Sequence, residues 1–226
     1  MRPDIQTRCA PTDFTLPGQL ARTPAAAYPF THWFLHDVLP QPACEALVAW
    51  NPGHSALAGD VGGRRETHNA YRVFVDENAR ARDARLDSMA RHFDAPQARQ
   101  AFESVCGIGL DTASLRLELC LDTDGFWLEP HTDIGAKKLT LLVSLSDGEG
   151  AQDWGTDLMT PDGQSAVRAP GRFNSAVLFI PSDDTWHGFV PRPITGVRRT
   201  LIVNFVDASW RAVHELAFGP RAALQH

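Results

Sequence analysis

Residues 129–133 read EPHTD, residues 185–188 read TWHG, and residues 196–201 read GVRRTL. The first two stretches contain two histidines and one carboxylate, which are His131, Asp133 and His187. Two imidazoles and a carboxylate are the ligand set of a facial-triad iron(II) site, and no cysteine lies nearby to recruit zinc or a cluster. Because residues i and i+2 of a strand point the same way, a His-x-Asp pair at a strand end supplies two ligands. The second histidine would come from a distant strand.

Composition narrows the class of protein. The chain has 226 residues, of which 43% are hydrophobic and 21% charged, as in an ordinary globular protein. Its net charge is -6 and it has no block of basic residues, whereas phosphate binding needs clustered Lys and Arg. Nucleic acid is therefore not expected as a partner.

No apolar run reaches the 18 or so residues that a membrane span needs, and the first residues lack the apolar core of a signal peptide. We therefore expect no membrane association and a cytoplasmic location. The four cysteines form no paired metal pattern and are expected as free thiols, with Cys120 buried. They are Cys9, Cys44, Cys106 and Cys120.

The first half of the chain mixes helices and strands. Residues 1–27 are rich in Pro and Ala, lack periodicity and are interpreted as an irregular arm. Residues 60–66 are predicted as a loop, and the tail from residue 208 as one short helix. Apolar spacing predicts helices over residues 41–50, 79–93 and 96–105, and alternation predicts strands over residues 30–35 and 70–75.

The second half consists of short strand-like runs separated by Gly, Pro and Asp turns. The runs cover residues 114–121, 139–145, 157–160, 176–180, 188–190 and 200–206. Such spacing is typical of a jelly roll. We therefore predict an α+β fold, a double-stranded β-helix (jelly-roll) barrel buttressed by N-terminal helices. Residues 28–226 would form a single domain, with helical support over 28–110 and the jelly-roll core over 111–207.

A second His-x-Asp sequence, His92-Phe93-Asp94, has the same spacing but a different context. It ends a predicted helix just before Ala95-Pro96, where a histidine can interact with the helix dipole. No later His and Arg follow it in strand context at matching spacing. We interpret it as structural.

The stretch from residue 114 to 205 resembles the iron(II)/2-oxoglutarate-dependent dioxygenases, most closely their prolyl-4-hydroxylase-like branch. The His-x-Asp at residues 131–133 is followed by a strand (LLVSLS, 141–146), a glycine turn (GTDL, 155–158) and APGR (169–172). His187-Gly188 and Gly196-Val197-Arg198 complete the series. The resemblance covers a little under half of the chain, and these elements follow one another in the order typical of the family.

The resemblance implies a role for each matching residue. His131, Asp133 and His187 would bind iron(II), and Arg198 would pair with the distal carboxylate of 2-oxoglutarate, for which a guanidinium offers a planar fork. Thr200 shares the face of Arg198 and could donate a second hydrogen bond. Ser144 stands where the family often has a tyrosine that contacts the co-substrate.

Several points stay open on the sequence alone. In an ideal strand Arg199 points away from the pocket, but a register shift of one residue would exchange the two arginines. Asp133, in place of Gly or Ala, favours hydroxylation over halogenation within the family.

The residues that would recognise a substrate are also open. Arg116, Glu118 and Cys120 share one strand face, which lines the pocket or faces water. Trp127 and Trp186 are interpreted as core more than as pocket walls, and Lys137 with Lys138 as a solvated pair. Asn69 and Arg72 could reach the open face of the metal.

The sequence thus predicts an enzyme: an Fe(II)- and 2-oxoglutarate-dependent dioxygenase that uses O2, releases succinate and CO2, and most simply hydroxylates a small molecule or amino-acid derivative. A peptide or protein side chain is the alternative substrate. One rival interpretation is a cupin-like metal enzyme, although the alternation around Pro130 does not favour Glu129 as a further ligand. The other is a non-catalytic jelly-roll binding module. The oligomeric state is not predicted.

Overall fold

The N-terminal part of the fold departs from the predicted irregular arm. The computed structural model of the chain describes residues 16–50, 62–63 and 72–221. Helix α1, Leu16–Leu20, lies inside the predicted arm, and its two leucines are buried in the main core. The arm is therefore not irregular throughout, because two leucines four residues apart give one turn an apolar side to pack. The division into domains stays a prediction.

The chain up to residue 106 contains both helices and short strands. The elements are β1 His32–His36, α2 Gln41–Ala49, β2 Gly62–Gly63, β3 Arg72–Phe74, α3 Glu77–Arg82, α4 Ala84–Asp94 and α5 Pro96–Cys106. The helix predicted over residues 79–93 is two helices, because the side chain of Asp83 caps the second one by accepting the backbone N–H of Arg85. The predicted loop at residues 60–66 lies outside the described residues except for β2.

The second half of the chain supplies most of the sheets. Its strands are β4 Ser114–Asp122, β5 Trp127–His131, β6 Lys137–Ser144, β7 Asp157–Met159, β8 Ser165–Arg168, β9 Ser175–Phe179, β10 His187–Phe189 and β11 Arg198–Val206. One sheet has the order β1-β9-β6-β11-β4-β3 and the other β2-β5-β10-β7-β8. All pairings are antiparallel except that of β2 with β5. These sheets confirm the predicted α+β jelly roll.

The long central strands have two different faces. The leucines at positions 115, 117, 119 and 121 of β4 are buried in one cluster with apolar side chains of α1, α2, α4 and α5. The even-numbered residues of the same strand face the other way, toward the second sheet. The helices therefore cover the outer face of the six-stranded sheet, and the polar inner face is free to build a site.

Three local features differ from the prediction. Pro130 lies inside β5, next to a register irregularity in the pairing of β5 with β10, where a missing N–H is tolerated. Strand β8 was not predicted, because SAVR is short and half-exposed. In place of the predicted helix, the described part of the tail, residues 208–221, has a 3-10 turn at Val213–Glu215.

The described cysteines, Cys44, Cys106 and Cys120, are buried and form no disulfide with one another, while Cys9 lies outside the described residues. Among the described residues, none of the helices has the length and apolar character needed to cross a membrane. The cytoplasmic location stays a prediction.

Candidate active site

The two sheets bring the predicted metal ligands together at one end of a narrow cavity. His131 ends β5 and His187 begins β10, and the two are paired across these antiparallel strands. Their ring centroids are 4.3 Å apart. With Asp133, two residues beyond His131, each residue offers a ligand atom within 4.8 Å of the others. In the part of the chain that the structure describes, no other group of His, Cys, Asp and Glu has this geometry.

Both imidazoles are oriented by backbone carbonyls. Nδ1 of His131 donates to the carbonyl of Glu129 at 2.9 Å, and Nδ1 of His187 donates to that of Thr185 at 2.9 Å. Such bonds fix the tautomer with a lone pair on Nε2, as a metal ligand requires. Burial lowers the pKa of His187 to about 4, so this imidazole is neutral at physiological pH.

Glycine at position 188 allows the second histidine to reach the site. A Cβ at Gly188 would lie 2.7 Å from the carbonyl oxygen of Leu128 and 3.1 Å from that of Glu129. Strand β10 therefore approaches β5 too closely for any side chain at this position. The His-Gly pair that the sequence shows is a packing requirement of the site.

The carboxylate of Asp133 is held on both oxygens. Oδ2 accepts a hydrogen bond from the hydroxyl of Thr140 at 2.7 Å, and Oδ1 is paired with the ammonium of Lys137. The Thr140 hydroxyl in turn accepts from the amide of Asn204 at 2.9 Å. Buried side chains of β6 and β11 thus orient the third ligand, as partners behind metal ligands usually do.

The interpretation of Lys137 as a solvated residue is wrong. Its side chain is 2% exposed and ion-paired with Asp133, while that of Lys138 is 48% exposed. Simple alternation from Thr140 would place Lys138 inside. The register between β6 and β11 shifts between Phe205 and Val206, and this irregularity turns Lys137 inward instead.

Arg198 lies toward the other end of the same cavity. It is buried beside the ring of Phe189, with 4.5 Å between its guanidinium carbon and the ring centroid. Its Nε donates to the carbonyl of Trp154 at 2.8 Å, and its Nη1 pairs with the carboxylate of Asp122. Arg199 is only half-buried and lies on the opposite face of β11. The register therefore leaves Arg198 as the inward arginine.

The other two predicted co-substrate residues have different surroundings. Thr200 lines the cavity beside Arg198, and so does Thr156, which the sequence analysis missed. Ser144 lies outside the cavity that holds the triad, and its hydroxyl donates to the carbonyl of Gly171 at 2.8 Å. Thr200 thus lines the cavity that holds the triad, whereas Ser144 lines a small adjoining cavity with Arg198 and Thr200.

The polar face of β4 and strand β3 form a further wall. Cys120 and Arg72 line the cavity, whereas Glu118 is fully buried and pairs with both Arg72 and Arg116. This face therefore points inward rather than to water. Asn69 lies outside the described residues.

The two tryptophans beside the ligands are partly accessible to solvent. Trp127 is 40% exposed and Trp186 is half-buried. The exposure of Trp127 contradicts its interpretation as a core residue, and among the described residues neither tryptophan lines the cavity that holds the triad.

Three cations line the cavity, and each is paired with a buried carboxylate. The pairs are Arg72 with Glu118, Lys137 with Asp133, and Arg198 with Asp122. A divalent cation at the triad would add two positive charges to this balanced wall.

Comparison with known proteins identifies the fold. The chain is similar to a Pseudomonas putida prolyl-4-hydroxylase, with a TM-score of 0.55 and 16% identity over 92% of this chain and 97% of that one. It is also similar to the viral collagen prolyl hydroxylase vCPH from Paramecium Bursaria Chlorella virus-1 (TM-score 0.52, 12% identity, 83% and 96% covered). A third similar structure is AviO1 from Streptomyces viridochromogenes (TM-score 0.52, 15% identity, 86% and 96% covered). No family model and no curated protein matches the chain.

The chain therefore has the double-stranded β-helix fold of the 2-oxoglutarate/iron(II) oxygenases, in the form seen in prolyl-4-hydroxylases. The resemblance expected from residues 114–205 is confirmed at the level of fold. At these identities the fold alone is established, and activity has to be argued from the site residues.

Proposed function

We propose that this protein is an Fe(II)- and 2-oxoglutarate-dependent dioxygenase that hydroxylates a small molecule or amino-acid derivative. The observation that carries the proposal is the donor set at one end of the cavity. His131 and His187 present Nε2, Asp133 presents a carboxylate oxygen, and all three lie within 4.8 Å of one another. Neutral imidazole and carboxylate suit iron(II) and leave coordination positions open on the cavity side.

The bound iron would supply the activation of O2, coupled to conversion of 2-oxoglutarate to succinate and CO2. Arg198 and Thr200 both line the cavity and would hold the co-substrate, the guanidinium pairing with its distal carboxylate. The rings of Phe126 and Phe189 line the cavity beside Arg198. These apolar side chains would keep water away from the guanidinium and the carboxylate bound to it. The buried site thereby keeps the reaction away from bulk solvent.

Substrate orientation is assigned to the wall formed by β3 and β4. The side chain of Arg72 is 8% exposed, and its Nη1 bonds to Glu118 and to Cys120 Sγ. Its Nε is buried with no hydrogen-bond partner among the described residues. This N–H can donate to an acceptor on a small substrate, which would satisfy an otherwise costly buried donor.

A peptide or protein side chain is the second candidate substrate, and the fold comparison supports it. The similar structures include a Trichoplax adhaerens prolyl hydroxylase in complex with a peptide fragment, with a TM-score of 0.52 and 11% identity. The same iron chemistry would then act on one residue of a docked chain.

Succinate formation tests the proposal. Purified protein with Fe(II), ascorbate and 2-oxoglutarate is expected to release succinate slowly alone and faster with a substrate from a panel of amino-acid derivatives and short peptides. Asp133→Ala is expected to abolish both rates, and Arg72→Gln only the acceleration. A wild-type protein that folds, binds no Fe(II) and forms no succinate would favour the binding-module interpretation instead.

A further inference from the structure

Lys137 occupies an unusual position for a lysine. Its side chain is 2% exposed, and its ammonium is paired with Asp133, whose side chain is 1% exposed. Removing a cation from water carries a large desolvation penalty, which a neighbouring carboxylate has to offset. Here the compensating carboxylate is the one that the proposed metal needs as a ligand.

Both oxygens of Asp133 already carry a donor, and one of these donors is a cation that a divalent metal at the same carboxylate would repel. The Thr140 hydroxyl cannot easily move, because Asn204 donates to its oxygen and thereby directs its proton toward Asp133. Asn204 is itself anchored by the carbonyl of Leu139 at 3.2 Å. The ammonium of Lys137 ends a flexible four-carbon stem and is the donor that can leave.

The choice of lysine supports the same conclusion. The chain has 19 arginines and only two lysines, at positions 137 and 138. Arginine holds a carboxylate with a rigid, bidentate fork, whereas lysine is a point charge on a mobile stem. The other two cavity cations are arginines with permanent carboxylate partners. Lysine thus occupies position 137, where the cation has to release Asp133 when a metal binds.

We infer that Lys137 is a positioning residue that competes with the metal for Asp133: it neutralises the carboxylate until a divalent cation binds, and is then displaced into the cavity. The inference rests on the proposed function. It has two consequences. Lys137 weakens metal binding, because the ion has to break an existing ion pair, and it stabilises the protein stripped of metal. The displaced ammonium adds a cation to the cavity when an anionic co-substrate is to enter.

The test is a Mn(II) titration, followed by calorimetry, of wild type and two variants of similar side-chain length, Lys137→Met and Lys138→Met. Lys137→Met is expected to bind Mn(II) roughly tenfold more tightly than wild type, because the competing cation is gone. Without metal, its Tm is expected to fall by about 5 to 10 °C, because Asp133 is left buried without its partner. Lys138→Met removes an exposed lysine and is expected to change neither value.

A second measurement covers the case in which Lys137→Met fails to fold. Wild-type protein is reductively methylated with formaldehyde and borohydride, and the two lysines are quantified by mass spectrometry. Mn(II) is expected to increase methylation of Lys137 several-fold and to leave that of Lys138 unchanged.

Two outcomes contradict the inference, and a third separates it from the proposed function. Mn(II) affinity in Lys137→Met that equals or falls below wild type overturns it, and so does methylation of Lys137 that ignores the metal. In either case Mn(II) still binds and the proposed function stands. Failure of all three proteins to bind Mn(II) overturns the inference and the proposed function together.

Discussion

The chain contains two His-x-Asp sequences, at residues 92–94 and 131–133, and only the second forms part of a cluster. In the first, His92 and Asp94 lie in the last turn of α4, and Phe93 between them is buried in the main core. The carboxylate of Asp94 pairs with Arg99 and Arg221. In the second, His131 is the last residue of β5, Asp133 lies two residues beyond it, and both side chains line one cavity.

The difference follows from backbone geometry. Residues i and i+2 are about 200° apart around an α-helix and on the same side of a β-strand. A strand end therefore converts this spacing into two converging ligands, and a helix end does not. A motif of this length has meaning only with the secondary structure that carries it.

The largest expected effect is the loss of Mn(II) affinity when the His-x-Asp sequence at residues 131–133 is mutated and the one at residues 92–94 is left intact. His131→Ala or Asp133→Ala is expected to weaken Mn(II) binding by roughly 100-fold or more, because a first ligand is lost. His92→Ala is expected to bind Mn(II) as wild type does. Isothermal titration calorimetry measures all three. Equal losses at both motifs would contradict the assignment of the site.

The next effect separates the two adjacent arginines. Arg198→Met is expected to weaken 2-oxoglutarate binding by about 30-fold, because the charged hydrogen bonds to the distal carboxylate are lost. Arg199→Met, on the opposite face of β11, should change it less than about twofold. Binding is followed by calorimetry on Mn(II)-loaded protein.

A control variant is needed because Arg198 is also the ion-pair partner of Asp122. Arg198→Met leaves Asp122 buried without its cation, so the double variant Arg198→Met/Asp122→Asn is measured as well. It should fold like wild type and still bind 2-oxoglutarate weakly. Recovery of tight binding in the double variant would show that Arg198 only balances Asp122.

A smaller effect concerns the partner behind the third ligand. Thr140→Val removes the hydroxyl that orients Asp133 and is expected to weaken Mn(II) binding by about tenfold. Thr123→Val, in the turn after β4, serves as the control. Unchanged affinity in Thr140→Val would mean that the carboxylate needs no orientation from β6.

The smallest effect tests the structural role of the first motif. Asp94→Asn should lower the free energy of unfolding by about 0.5 to 1 kcal/mol, because its pairs with Arg99 and Arg221 are partly exposed. Urea denaturation measures this change. Metal affinity should stay the same, and a loss there would give His92-Phe93-Asp94 a role in the site after all.

The sequence was sufficient to predict the jelly roll and the residues that cluster in it. Period-two runs and turn residues predict β4, β6, β9 and most of β11, because alternation depends only on local order. Strand β5, which carries His131, was not among the predicted runs, and His187 and Arg198 lie just before the runs predicted over residues 188–190 and 200–206. These three residues were identified by their spacing and by the family resemblance. Apolar spacing did not predict the helix break at Asp83, since Asp occurs within helices as well as at their caps.

The inner polar contacts were harder to predict, because they depend on register. Lys137 lies inside only because of a bulge between β6 and β11, and Asp122 meets Arg198 only through the pairing of β4 with β11. Ser144 lies on the inward face of β6, as expected, but its hydroxyl donates a hydrogen bond to the carbonyl of Gly171. Neither a bulge nor a cross-strand partner is encoded within one short window of residues.

One measurement tests the central claim directly: anaerobic absorption spectroscopy of the Fe(II)-loaded protein as 2-oxoglutarate is added, with Arg198→Ala measured in parallel. Wild type is expected to show a weak visible charge-transfer band that is lost in Arg198→Ala at the same co-substrate concentration. This result would establish the iron and the co-substrate together. A folded wild-type protein that retains no iron and shows no band would contradict the account and make His131, Asp133 and His187 ordinary polar residues of a binding module.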